Sequence, residues 1–233
     1  LLNDPNLIQH FPVDVFQTGS GTSSNMNVNE VVATLASRAS DLTINPNDHV
    51  NFGQSSNDVI PTAIHVSAVT AVSRDLLPAI DELISAISLK SDALQGVCKT
   101  GRTHLMDAMP VRMDQILEGW AAQLENARAL ISSTLAHLQY VALGGTAVGT
   151  GINTHRDFSA ASTQILSTNM GLEFFPAKEH FSLIGSQDSA VALSGQLKTL
   201  AVALLKISND LRWMNSGPLA GLGEISLEPL QPG

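Results

Sequence analysis

Four stretches gather small hydroxyl and amide side chains around glycine: Gly19 to Asn29, Asn45 to Asp58, Thr100 to Pro110 and Gly144 to His155. Such groups are neutral hydrogen-bond donors. Where they flank a helix start they attract anions, because the free N–H groups and the helix dipole both favour negative charge. The chain carries 12 Lys and Arg against 21 Asp and Glu, a net charge of -9, so no general positive field draws an anion in. Local, preorganised donors must hold it, and a small carboxylate suits them. The third stretch, KTGRTHLMDAMP, adds Lys99, Arg102, Thr103, His104 and Asp107. His104 is the acid/base candidate, since an imidazole titrates at about 6.5 in model peptides and exchanges protons near neutrality. Thr103 beside it can bond a substrate oxygen.

A plainer reading competes. Ser, Thr, Asn and Asp ahead of a helix satisfy its first N–H groups, and a loop histidine often does no more than that. Yet seven of the 14 asparagines fall between Asn25 and Asn57, more than capping needs. Other chemistries find less support. None of the seven histidines pairs at i,i+4 around a helix Glu, so no metal site is expected. No Lys-Ser/Thr pair follows Gly19-Ser20-Gly21, and Gly144 to Gly151 lacks the strand and helix that frame a dinucleotide fingerprint. No cofactor is implied.

The elements that must position these groups read as helices. Leu193, Leu197, Leu200, Leu204, Ile207, Leu211 and Met214 draw one apolar seam at spacings of 4 and 3. Leu76, Ile80, Leu83, Ile87 and Leu94 draw a second, and Met113, Leu117, Trp120, Leu124, Ala127, Ile131 and Leu138 a third. The spacing predicts long helices over 58–97, 110–142 and 188–215. Pro78 marks a kink in the first, Pro110 fits the opening turn of the second, and Gly144-Gly145 and Ser216-Gly217-Pro218 serve as stops. Strand signals are confined to Phe11–Phe16 and Leu172–Phe175. The fold class is all-α, a bundle of long helices.

Composition sets outer limits. With 44% apolar and 14% charged residues the chain can bury a sizeable core. The single cysteine, Cys98, excludes an internal disulfide and points to a reducing compartment. The acidic balance argues against nucleic acid and anionic lipid as partners. No charge appears between Arg128 and Arg156, but His137, Gln139, Asn153 and four glycines argue against a membrane span there. The opening residues show no basic region followed by an apolar run, and the absent initiator Met suggests a fragment.

Four segments resemble class II fumarase, in order and at plausible spacing: QTGSGTSSNMNVNE from Gln17, NPNDHVNFGQSSND from Asn45, KTGRTHLMDAMP from Lys99 and ALGGTAVGTGINTH from Ala142. The stretch from Lys206 onward also looks like that family, so the likeness covers essentially the whole chain. The resemblance implies a homotetramer around a central helical bundle, each active site assembled from three subunits. Residues 1–54 would close the N-terminal domain and carry a substrate loop, and 55–233 would form part of the bundle domain. By the same resemblance Ser20, Gly21, Thr22, Ser55, Ser56, Asn57 and Thr103 hold substrate carboxylates, and His104 belongs to the acid/base machinery. Asn45, Pro46, Asn47 and Asp48 look like a second dicarboxylate site, although the family usually has His where Asn45 stands.

The implied reaction is reversible anti addition of water across fumarate to give L-malate, through a dianionic aci-carboxylate. The family continues past Gly233 into a loop that supplies a base serine and a substrate-binding lysine, so an isolated 1–233 polypeptide is expected to be inactive. Aspartase, which eliminates ammonia from aspartate, is the nearest alternative. Aspartases typically carry Gln in place of His104 and Ser-Thr-Asn-Asp in place of Ser55-Ser56-Asn57-Asp58, so both positions favour fumarase. A non-catalytic helical assembly protein is a third reading, opposed by retention of His104 and both Ser/Asn clusters. The expected location is the cytoplasm, or the mitochondrial matrix in a eukaryote.

Overall fold

Helical period dominates the computed structural model, which describes residues 5–231. After a 3₁₀ turn at Leu7–His10 come α1 (Thr22–Ser40), a π-helical turn at Pro46–Val50, and α2 (Ser56–Ala71). A second π-helical turn, Val72–Leu76, joins α2 to α3 (Leu77–Ala93). The break expected at Pro78 is therefore real: the proline sits in the first turn of α3, where its missing N–H costs nothing. Strands β1 (Cys98–Thr103) and β2 (Met106–Arg112) precede α4 (Met113–Leu138). Strand β3 (Tyr140–Val141), α5 (Phe158–Met170), β4 (Phe175–Pro176), α6 (His180–Gly185) and α7 (Asp188–Met214) complete the order.

Three sequence expectations need correction. Pro110 does not open a helix. It lies in β2 opposite Thr100, within an antiparallel hairpin whose register runs from Cys98↔Arg112 to Thr103↔Met106 with a bulge between Thr100 and Arg102. In a two-stranded ribbon every strand is an edge, so a residue without an N–H is tolerated. Phe11–Phe16 is irregular, and of the second strand-like run only Phe175 enters a strand, β4, which pairs in parallel with Tyr140–Val141. That pairing also ends α4 at Leu138, six residues before Gly144. The glycines instead shape the loop that follows.

The chain divides into two compact units. The first comprises the residues up to Ala71 with Ala136–Val191, and its core includes Ala33, Val69, Leu138, Val141 and Phe174. The second comprises Val72–Leu135 and the residues from Ala192 onward, with a core of Val72, Ile80, Ile87, Met113, Leu117, Trp120, Leu124, Ala127, Ile131, Leu200 and Ile207. The α4 seam is buried as its spacing requires. Between α3 and α4 the Asp81 carboxylate accepts two bonds from Arg128, and the Trp120 Nε1–H of α4 donates to Asp210 of α7 at 3.3 Å.

Candidate active site

In the first unit, Gly21 precedes α1 with φ +61, the left-handed region that glycine enters without cost. A Cβ there would lie 2.7 Å from the Ile60 side chain of α2. This close approach gathers hydroxyls from two loops. Ser20 Oγ lies 2.9 Å from Thr18 Oγ1 and accepts from Thr22 Oγ1 at 3.3 Å, and Thr22 Oγ1 is 3.4 Å from Ser56 Oγ. Ser20, Thr22 and Ser56 thus form one exposed patch beside the opening turn of α1, whose first N–H groups have no intrahelical acceptor. An anion with two or three oxygens fits such a patch.

Ser55 and Asn57 are adjoining but partly committed to structure. Ser55 Oγ accepts from the Asn57 N–H at 3.2 Å, a capping bond, and Asn57 Nδ2 donates to the Ala147 carbonyl at 2.7 Å. Behind them stands Asp58, fully buried, which the sequence reading did not single out. Its carboxylate accepts from the N–H groups of Ser55 at 2.9 Å, Gly144 at 3.0 Å and Thr146 at 2.8 Å. Burial raises its pKa above the ordinary 3.8, and the backbone donors oppose that rise. Asp58 therefore ties the Gly144–His155 loop to the start of α2. The Ser-x-x-Asp spacing ahead of an apolar run was the signal for it.

The asparagine excess has a structural share. Asn25 and Asn29, both buried on α1, donate to Asn51 Oδ1 at 3.4 and 3.0 Å, and Asn51 Nδ2 donates to the Gln54 carbonyl at 3.4 Å. These amides fasten α1 to the 45–54 loop. Asn45 caps the turn at Pro46–Val50: its Oδ1 accepts from the Asn47 and Asp48 N–H groups at 2.8 and 3.0 Å, and its own N–H donates to His49 Nδ1. Asn47 and Asp48 line an open depression of about 810 Å³, together with Asn51, Phe52, Thr154 and His155.

Thr103 and His104 belong to the second unit. His104 and Leu105 form the two-residue tip of the hairpin at φ +51 and +65, a twist that suits a tight hairpin but costs a residue with a Cβ about 1 kcal/mol each. The tip is exposed, and among the described residues no hydrogen bond or ion pair engages the His104 ring. Below it, Arg102 Nη1 donates to Glu224 Oε1 at 2.8 Å and Lys99 Nζ lies 3.1 Å from Glu224 Oε2. Glu224 is 122 residues from Arg102 in sequence, and no local pattern marks the pair.

The family model described as lyase matches residues 1–233. The chain belongs to this lyase family. It is 64% identical over 228 residues to "Fumarate hydratase class II 2" of Pseudomonas aeruginosa, covering 98% of this chain and 50% of that protein. It is 58% identical to "Fumarate hydratase class II" of Xylella fastidiosa, covering 96% of this chain and 47% of that one. The crystal structure of recombinant class II fumarase from Schistosoma mansoni superposes with a TM-score of 0.92 at 39% identity, over 97% of this chain and 51% of that one. A fumarate lyase:delta crystallin from Brucella melitensis bound to cobalt gives 0.93 at 41% identity, over 99% and 51%. Relatives named class II fumarate hydratase thus match across nearly the whole lyase-family sequence, which spans about half their length.

Proposed function

We propose that the protein to which this chain belongs hydrates fumarate reversibly to L-malate. The observation that carries this reading is His104 beside Thr103 at an exposed hairpin tip, on a chain so similar to proteins named class II fumarate hydratase. In the dehydration direction a base removes a proton from the carbon next to one carboxylate, and the electron pair is held as an aci-carboxylate. The hydroxyl on the neighbouring carbon then leaves as water once an acid protonates it. Hydroxyls and N–H groups aimed at the developing charge contribute roughly 3 to 4 kcal/mol each in comparable sites. Ser20, Thr22, Ser55, Ser56, Asn57 and Thr103 are the groups assigned to the substrate carboxylates, with Gly21 shaping their loop. His104 exchanges the proton, and Asn45–Asp48 form a second dicarboxylate site.

The active assembly is a homotetramer whose sites draw on several subunits. Its support is α7: Val191, Val202, Leu205 and Trp213 are 70, 58, 61 and 51% exposed. At about 100° per residue they share an arc of about 80°, opposite the buried Leu193, Leu200, Ala203, Ile207 and Met214. A helix apolar on two faces needs a second partner. By length and composition α7 could also cross a membrane. Lys198, Lys206 and Asp210 within it favour packing against other helices, in a cytoplasmic protein. Residues 1–54 close the N-terminal domain and 55 onward contribute to the bundle.

The test is an assay of the full-length protein. Absorbance of fumarate should fall on its addition and rise when L-malate is supplied, with no ammonia released from L-aspartate. Ammonia release without fumarate turnover would favour the aspartase reading, and inertness toward all three the assembly protein.

A further inference from the structure

We propose that Glu224 is a positioning residue: its carboxylate clamps Lys99 and Arg102 of β1 and so fixes where Thr103 and His104 stand. The proposal rests on the assignment of His104 to proton transfer. A two-stranded ribbon is marginally stable by itself, and this one carries a bulge between Thr100 and Arg102 and two consecutive left-handed residues that are not glycine. Such a tip keeps one conformation only where its surroundings over-determine it.

Glu224 supplies that constraint. Its side chain is 11% exposed, and those of Lys99 and Arg102 are 12 and 19% exposed, so the three charges are largely withdrawn from water. Charges so placed persist when paired. Among the described residues Arg102 has one other carboxylate within range, Asp107, but that contact is 3.9 Å with Asp107 86% exposed, where solvent screens it. Lys99 Nζ is further directed by the Thr100 carbonyl at 2.9 Å.

The clamp is anchored in turn. The Glu224 and Ile225 N–H groups donate to the Met214 carbonyl at 2.8 and 3.2 Å, and Gly223 N–H donates to the Ser216 carbonyl at 2.7 Å. The segment after α7 is thereby folded back on the end of that helix. The last turn of α7, Glu224, Arg102 and the hairpin tip form one connected line, with His104 two residues beyond the guanidinium. Without the carboxylate, Lys99 and Arg102 would be two like charges on one strand with only the screened contact from Arg102 to Asp107 to offset them, and relief for them means movement toward water that carries β1 along.

The experiment is a double-mutant cycle on the full-length protein, with fumarate hydration kinetics, melting curves and light scattering on every variant. Glu224→Gln preserves shape while removing the charge. We expect it to assemble as the parent does, to melt lower because two largely buried cations lose their counterion, and to lose roughly 10- to 100-fold in kcat, the scale of a misplacement of about 1 Å. In the His104→Asn background the same change should cost less than about 3-fold, because the group it positions is already gone. An equal loss in both backgrounds would make Glu224 a general structural residue, and an unchanged kcat would remove any role. If Glu224→Gln does not fold, Lys99→Met loosens the clamp while leaving the Arg102 pair, and the same non-additivity is required of it. Unaltered kcat in His104→Asn alone would bring down the acid/base assignment together with this proposal, whereas a loss there with additive Glu224→Gln overturns the clamp alone.

Discussion

At His104 the ring is exposed and, among the described residues, free of hydrogen-bond and ion-pair partners, so replacing it removes little packing and isolates the proposed proton exchange. In the full-length enzyme His104→Asn should lower kcat by about 10² to 10⁴-fold, the usual contribution of a general acid or base. Stability should change by no more than about 0.5 kcal/mol, as for other exposed positions. Paired fumarate kinetics and a melting curve check both. His65 behaves oppositely. It is buried on α2, and its Nδ1–H donates to the Tyr140 carbonyl at 2.7 Å. Burial holds its pKa below the ordinary 6.5, against the pull of the Tyr140 and Leu138 carbonyls. The unfolded chain therefore takes up a proton near 6.5 that the folded chain accepts only at lower pH, so stability is full above that value and is lost as pH falls through the folded pKa. The melting temperature should drop between pH 7.5 and 5. In His65→Gln, which keeps a donor for Tyr140, calorimetry should find a smaller drop.

The start of α1 and the 98–112 hairpin are the two elements to which the proposed chemistry is assigned, and each depends on backbone geometry that few residues adopt. For Gly21→Ala, the left-handed φ costs about 1 to 2 kcal/mol and the contact with Ile60 adds to it. We expect destabilisation of about 2 kcal/mol in a denaturant titration, with weaker substrate binding as the Ser20–Thr22 hydroxyls shift. A variant with unchanged midpoint and KM would show that this loop has slack. The hairpin was not legible because its β1–β2 pairing lies in the backbone ladder, while its side chains lack alternation and Pro110 imitates a helix start. The α4 seam was legible, since a period of 3.6 residues held over 26 residues leaves one buried face.

For the molecule as a whole, the exposed apolar stripe of α7 sets the expectation that Leu205→Glu lowers the assembled mass in light scattering of the full-length protein, while circular dichroism keeps its helical signal. An unaltered mass would separate that stripe from the interface. Sequence by itself determined the helical class, the α4 seam, the lyase-family segments and the identity of the hydroxyl and imidazole groups, because periodicity and residue chemistry are local properties, whereas Leu83, Leu197 and Leu204 of the other two seams stand 38, 38 and 37% exposed. Tertiary structure decided the division of the asparagines between capping at Asn45, the Asn25–Asn29–Asn51 fastening and the bond from Asn57 to the Ala147 carbonyl, all of which look alike in sequence. It also decided the partners of Asp58 and Glu224. A buried carboxylate acquires its role from the donors that surround it, and those donors, Gly144 and Thr146 in one case and Lys99 and Arg102 in the other, lie 86 or more residues away, the latter two on a strand the sequence did not announce.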